Sequence, residues 1–214
     1  MTQLKYSFTV LTLLWIFLPN AAHANLIVNG SFEDNPVGQS SWQWYTSNTV
    51  AGWNGSNIEI WNNLLGIDAV DGANFIELNA HPDTATQFSI YQSFNSQPGE
   101  QYNISLFYRA RSSDSEAFSL SLSDTNTELF RTLLDDHDTS KWHYFNTAFT
   151  ASSALTTLTL SSITPYSGTL GNLIDAVTVN LQSSNQTAST VSEPSLLWLT
   201  LLSVFGLKSR RLNA

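Results

Sequence analysis

Apolar and polar positions alternate in short runs along most of this chain, and clusters of Gly, Asn, Asp, Ser and Thr separate the runs. A period of two puts successive side chains on opposite faces of an extended chain, so the pattern predicts half-buried β-strands. The spacing predicts strands over residues 26–28, 57–61, 74–78, 88–94, 101–111, 117–123, 142–150, 156–162 and 173–181. β-branched and aromatic side chains fill these runs, as a pleated surface favours. Asp71-Gly72 and Pro98-Gly99 mark turns. Helical periodicity is nearly absent, so the body reads as all-β, an antiparallel β-sandwich.

The longest run has two distinct faces. Tyr102, Ile104, Leu106, Tyr108 and Ala110 point one way, toward a core, while Asn103, Ser105, Phe107, Arg109 and Arg111 point the other. By the same alternation Ile58, Ile60, Ile76 and Leu78 enter the core and Phe75 faces away. If these strands are neighbours, Glu59, Trp61, Glu77, Asn79, Gln92, Arg109 and Arg111 gather on an outward face. Asp175 falls inside an apolar strand, where an unpaired carboxylate is costly, so it must pair with an arginine, cap a turn or hold a metal.

The ends follow other patterns. Lys5 precedes an apolar core over residues 8–18, and Ala22-His23-Ala24 is the small-x-small pattern that signal peptidase reads, so residues 1–24 are expected to be a signal peptide. The apolar core is shorter than the roughly 20 residues of a spanning helix. Residues 25–181 then make the sandwich domain, and residues 182–190, rich in Ser, Asn, Gln and Thr, a flexible linker. Residues 191–214 open with Val191, Ser192, Glu193, Pro194 and Ser195, continue through an uncharged run over 196–207, and close with Lys208, Arg210 and Arg211. Leu196-Leu197-Trp198-Leu199 lacks the polar spacing of an amphipathic surface helix. The run is short for a transmembrane helix but serves as a transient stop in a thinned or tilted bilayer, its basic cluster on the cytoplasmic side.

This tail resembles the PEP-CTERM sorting signal of bacteria that export polysaccharide, with Ser192 where that family usually has its first proline. The resemblance implies an exported protein of the cell surface or extracellular matrix, held in the inner membrane until an exosortase-type transpeptidase cuts near Glu193-Pro194.

Charge and composition narrow the partners. Between residue 25 and the tail, four basic side chains stand against sixteen acidic ones, a net charge of about −12. Such a surface repels nucleic acid and suits calcium or neutral glycans. The absence of cysteine excludes disulfides, thiolate zinc sites and a cysteine nucleophile. The sequons at Asn29, Asn54, Asn103 and Asn185 matter only in a eukaryotic secretory pathway.

Within the body, Asn25-Leu26-Ile27-Val28-Asn29-Gly30-Ser31-Phe32-Glu33, Gly52-Trp53, the stretch from Gly72 to Asn79, Gln92, Pro98-Gly99-Glu100-Gln101-Tyr102 and Leu173-Ile174-Asp175-Ala176-Val177 occur in one order. Together they resemble galactose-binding-like jelly-roll domains, a group that includes many carbohydrate-binding modules and DUF642-like proteins. The resemblance implies a nine- or ten-stranded sandwich that binds sugar without cutting it. It also implies a structural calcium ion held by Glu33 and Asp175, with backbone carbonyls completing the shell.

A sugar site needs an aromatic platform and planar polar groups for the hydroxyls. Glu59, Trp61, Glu77, Asn79 and Arg111 are the candidates, with Trp42, Trp44, Tyr45 and Trp53 in an early loop as a stacking wall. The same residues also suit packing tryptophans and a buried Glu59–Glu77–Arg111 ion network with no ligand. Glu59 and Glu77 on adjacent strands would meet the first requirement of a glycosidase. No hydrolase, zinc-protease or phosphate-loop motif is present, so the protein is expected not to be an enzyme. His81 beside Pro82 reads as a turn, and His137 among Asp135, Asp136 and Asp138 as a solvated acidic loop. The sequence therefore points to a non-catalytic carbohydrate-binding protein, or to a structural or adhesive exopolysaccharide-matrix (biofilm) protein without specific sugar binding.

Overall fold

A computed structural model describes residues 24–125 and 127–182. The expected signal peptide, most of the expected linker and the sorting segment with Val191, Ser192, Glu193 and Pro194 lie outside the described residues. Among the described residues no helix is long and apolar enough to cross a membrane.

Eleven strands follow in chain order: β1 (Ser41–Tyr45), β2 (Asn54–Gly55), β3 (Ile58–Asn62), β4 (Asn74–Glu77), β5 (Ser89–Asn95), β6 (Gln101–Arg109), β7 (Ala117–Ser123), β8 (Glu128–Leu134), β9 (His143–Thr150), β10 (Leu155–Thr164) and β11 (Leu173–Leu181). They form two antiparallel sheets, a six-stranded one in the order β1-β3-β4-β11-β6-β9 and a five-stranded one in the order β2-β5-β10-β7-β8. The last strand lies at the centre of the larger sheet, between β4 and β6. Gly99, at a φ of 88°, makes the turn into β6.

The inner faces make the main core as the alternation requires. Tyr102, Ile104, Leu106 and Tyr108 of β6 are all buried, as are Ile58, Ile60, Ile76 and Leu78. They belong to one cluster with Phe118, Leu120, Leu122, Leu158 and Leu160 from the five-stranded sheet.

Several expectations are corrected. Residues 26–28 form no strand. Leu26 N donates to Val179 O, but Val28 is paired on both backbone groups by the Gln92 side chain, with Val28 N donating to Oε1 at 2.6 Å and Nε2 to Val28 O at 3.0 Å. Gln92 therefore points into the interior and does not join an outward face. The tryptophan-rich segment expected to be a loop is the edge strand β1, and β8 was not expected at all because both faces of Leu129-Phe130-Arg131-Thr132 are half-exposed. His137 is buried, with Nε2 2.9 Å from Asn172 Oδ1, and burial pushes its imidazole below the ordinary histidine range.

The largest correction concerns the outer face of the six-stranded sheet. Glu59, Trp61, Phe75, Glu77 and Asn79 alternate away from the main core as expected, yet all five are buried. A second apolar cluster of Trp61, Ile67, Phe75 and Leu173, with Leu64, Ala69 and Trp142 packed on it, sits on this side. The β3–β4 loop supplies Leu64, Ile67 and Ala69, and Trp142 leans edge-on against Phe75 at 5.5 Å while Nε1 donates to Asp68 O. Period two reports which face a residue takes, and loops decide whether that face stays wet.

Candidate functional site

Pairing register brings the candidate residues together. Trp42 on β1 is opposite Trp61 on β3, which is opposite Phe75 on β4; Trp44, Glu59, Glu77 and Leu173 form the next row. Residues directly opposite share a face, so one patch of sheet carries aromatic rings beside two carboxylates.

The buried carboxylates in this patch each have defined partners. Arg111 arrives just past the end of β6, and its Nη1 donates to both Glu77 oxygens at 2.6 Å and to Thr169 O at 2.9 Å. Gly171 N completes the Glu77 carboxylate at 2.7 Å. Burial pushes the Glu77 carboxyl up to about 8, against the opposing pull of Arg111. The Arg111 guanidinium carbon lies 4.6 Å from the centre of the Trp61 ring, a cation–π contact. Trp61 Nε1 donates to Glu59 Oε1 at 2.8 Å, and His81 N donates to Glu59 Oε2 at 3.0 Å. Asn79 donates Nδ2 to Pro165 O, while its buried Oδ1 has no partner among the described residues. A Cβ on Gly171 would collide with that oxygen, so glycine is required there.

Above this floor opens a cleft of about 290 Å³. Glu59, Trp61 and Arg111 lie deep in it, and Trp42, Leu64, Leu65, His81, Thr169 and Leu170 line the rest. Trp42, Leu65 and Leu170 are 43%, 70% and 50% exposed, which makes the mouth apolar. Arg111 retains 21% side-chain exposure, and its Nε and Nη2 have no protein partner among the described residues. The arrangement offers an indole face, an apolar lip and a fixed cationic donor beside a fixed carboxylate.

Of the five residues expected to contact a ligand, Glu59, Trp61 and Arg111 line the cleft. Glu77 stands behind Arg111 as its anchor, and Asn79 is enclosed against Pro165; neither reaches the opening. Sequence reasoning placed Trp42 in a loop and read His81 as a turn, and it did not single out Leu65, Thr169 or Leu170. The Trp42-x-Trp44 alternation signals a strand face, whereas Thr169 and Leu170 carry no local signal because a distant loop delivers them.

Glu33 and Asp175, the expected metal residues, both hold backbone amides. Glu33 Oε1 accepts from Ala73 N at 2.8 Å and Asn74 N at 2.6 Å. Asp175 Oδ2 accepts from Val70 N at 2.7 Å and Asp71 N at 3.0 Å, and Oδ1 from Ala176 N at 2.6 Å. Desolvation pushes the Asp175 carboxyl up to about 7 despite these bonds. Glu33 Oε1 and both Asp175 oxygens thus accept from backbone N–H groups. Among the described residues no three His, Asp or Glu side chains converge as a metal group.

Fold and cleft together define the class: an antiparallel β-sandwich of two sheets, with an apolar-lipped, arginine-floored cleft on the larger sheet. Residues 25–180 match the family described as "Protein of unknown function (DUF642)", and the chain belongs to that family. Among solved structures, a CBM61 carbohydrate-binding module in complex with β-1,4-galactotriose is 15% identical, with a TM-score of 0.49 over 74% of this chain and 99% of the module. A CBM4 structure is 17% identical, with a TM-score of 0.45 over 73% of this chain and 99% of the other. The CBM22-1 xylan-binding domain of Paenibacillus barcinonensis Xyn10C is 14% identical, with a TM-score of 0.42 over 75% and 97%. No curated protein matches the chain.

Proposed function

We propose that this is an exported, non-catalytic carbohydrate-binding protein that takes a neutral polysaccharide or glycan in the Trp42–Arg111 cleft. The observation that carries the reading is the exposed Trp42 indole beside an arginine already fixed by Glu77, Thr169 and the Trp61 ring. An indole covers the apolar face of a sugar ring, while the free edge of Arg111 and the Glu59 carboxylate meet vicinal hydroxyls as donor and acceptor. Holding Arg111 in place before binding removes the ordering cost of a long side chain. The net charge of about −12 opposes long-range attraction of a polyanion, which favours a neutral ligand.

The two carboxylates that face each other across β3 and β4 support binding rather than hydrolysis. Glu77 is fully enclosed and engaged by Arg111 and Gly171 N, so it has no path to a glycosidic oxygen. Export through a signal peptide cut after Ala24, transient anchoring by the apolar tail and processing by an exosortase-type enzyme near Glu193-Pro194 complete the reading, on the sequence patterns alone.

Titration of the purified full-length chain with cello-, xylo-, manno- and galacto-oligosaccharides tests it. Saturable binding to one series that Trp42→Ala abolishes, with an unchanged thermal midpoint, is the expected outcome. Concentration-dependent self-association with no sugar dependence in any series would replace it with a structural matrix role. Turnover of a polysaccharide lost in Glu59→Gln would replace it with an enzyme.

A further inference from the structure

The loop between β3 and β4, residues 63–73, combines three features that no single structural role explains. It supplies Leu64 and Leu65 to the cleft and Leu64, Ile67 and Ala69 to the second apolar cluster. Leu65 is 70% exposed and holds a φ of 57°, a left-handed conformation that costs a leucine of order 1 kcal/mol. An apolar side chain turned into water on a strained backbone stabilises nothing in the free protein. The loop is also gripped twice by carboxylates from outside it: Asp175 of β11 takes the Val70 and Asp71 amides, and Glu33 takes those of Ala73 and Asn74. Gly72, at a φ of 75°, sits between the two grips, and a Cβ there would collide with the Glu33 carboxylate.

From these features we infer that the β3–β4 loop is the specificity wall of the cleft, with Leu65 as its contact residue, and that Glu33 and Asp175 act as its clamps through backbone N–H groups rather than as ligands of a cation. The inference rests on the glycan reading for what Leu65 touches, and on geometry alone for the clamps. A sugar ring against Trp42 leaves its second face open, and an aliphatic side chain on the facing loop can cover it. Such a wall discriminates by excluding axial substituents, and it does so only when its backbone is immobile. Charge-assisted bonds from a carboxylate to two adjacent amides give that immobility without a metal. Glu33 and Asp175 are thus positioning residues, and their effect on binding passes through Leu65.

Hydrogen exchange and titration of the full-length chain together decide the matter. In the exchange arm, Glu33→Gln speeds the amides of Ala73 and Asn74 at least tenfold, and Asp175→Asn those of Val70 and Asp71, while Ile104 and Leu106 in β6 keep their protection. Chelation with EDTA leaves the wild-type loop unchanged. Loss of loop protection on adding EDTA alone, or no change in either variant, overturns the clamps. Should Asp175→Asn fail to fold, Glu33→Gln and EDTA still decide.

In the titration arm the probes are cellohexaose, xylohexaose, mannohexaose and β-1,4-galactohexaose. Leu65→Gly relieves the strained φ, so it keeps or raises the thermal midpoint, yet it weakens the bound probe about tenfold and narrows the preference between probes. Glu33→Gln weakens binding in the same direction. Wild-type affinity and selectivity in both variants, with Trp42→Ala still abolishing binding, overturns the wall and leaves the glycan reading standing. Failure of the wild type to bind any probe overturns the glycan reading and the wall with it, while the exchange arm still settles the clamps.

Discussion

Where β3, β4 and the start of β11 lie side by side, both sides of the six-stranded sheet are dry, and they are dry for different reasons. Toward the five-stranded sheet, Ile58, Ile60, Ile104, Leu106, Ile174 and Val179 meet Phe118, Leu120, Leu122, Leu158 and Leu160, and apolar contact is sufficient. On the other side Trp61, Phe75 and Leu173 share the space with Glu59, Glu77, Asn79 and Asp175, every one of them buried. A buried carboxylate must find donors, and here it finds them on segments outside its own strand: His81 N for Glu59, Gly171 N for Glu77, Val70 and Asp71 N for Asp175. The inner side is held by area, and the outer side by polar anchors that fix where each covering loop lies. A surface meant to recognise something benefits from the second arrangement, because loop position rather than bulk stability is what it must control.

If the outer layer is a true core, truncation there should cost as much as truncation inside. Phe118→Ala, between the sheets, and Phe75→Ala, under Trp142, are each expected to destabilise by about 3–5 kcal/mol in denaturant unfolding. A Phe75→Ala cost near that of a surface substitution would reduce the outer layer to a loose cover. Next in size is Gln92→Ala, which deletes the side chain that pairs both backbone groups of Val28. It is expected to cost about 1–3 kcal/mol, with increased amide exchange at Val28 as its local signature.

The inner side was legible in the sequence and the outer side was not. Alternation in 101–111 named every buried residue of β6 correctly, because a strand between two sheets needs only the rule of two. The same rule put Glu77 and Asn79 on the outer face, correctly, but that face is closed by Gly171, Pro165 and Arg111, which arrive from segments 34 to 94 positions away. No local pattern encodes such meetings. Strands β1 and β8 were the other loss: β1 buries no residue and β8 only Leu134, so neither carries a continuous apolar face. For the site, the sequence named Glu59, Trp61 and Arg111, which line the cleft, together with Glu77 and Asn79, which lie behind it. Glu77 and Asn79 looked like contact residues because nothing in the chain says that Arg111 and Pro165 come to stand against them.

The outer anchors also predict a pH dependence. The folded Glu77 carboxyl is raised to about 8 from an ordinary 4.5, so the native state holds its proton over that interval and the unfolded chain does not. Its contribution is fully present below about pH 4.5 and is lost as pH rises toward 8. Thermal midpoints measured from pH 5 to pH 8 should therefore fall with pH on this account, and Glu77→Gln should flatten the slope. His137 works in the opposite sense, since burial lowers its pKa and the stability tied to its neutral form is lost as pH falls through the histidine range. A slope unchanged in Glu77→Gln would mean that Arg111 keeps the carboxylate ionised throughout.

The smallest stability effect belongs to the residue with the largest expected functional one. Trp42 occupies an edge strand, is 43% exposed and touches His81 only edge-on at 6.0 Å. Trp42→Ala should shift stability by no more than about 0.5 kcal/mol, the range of ordinary surface changes. Trp61, its cross-strand partner, has the same chemistry and the opposite budget of exposure, so Trp61→Ala should cost about 3–5 kcal/mol and release Arg111 from its ring contact. Paired unfolding curves for the two variants separate recognition from support. Equal losses in both would place Trp42 in the packing layer and close the cleft to a stacking ligand, whereas a loss confined to Trp61 leaves one tryptophan of the pair free to meet something other than the protein itself.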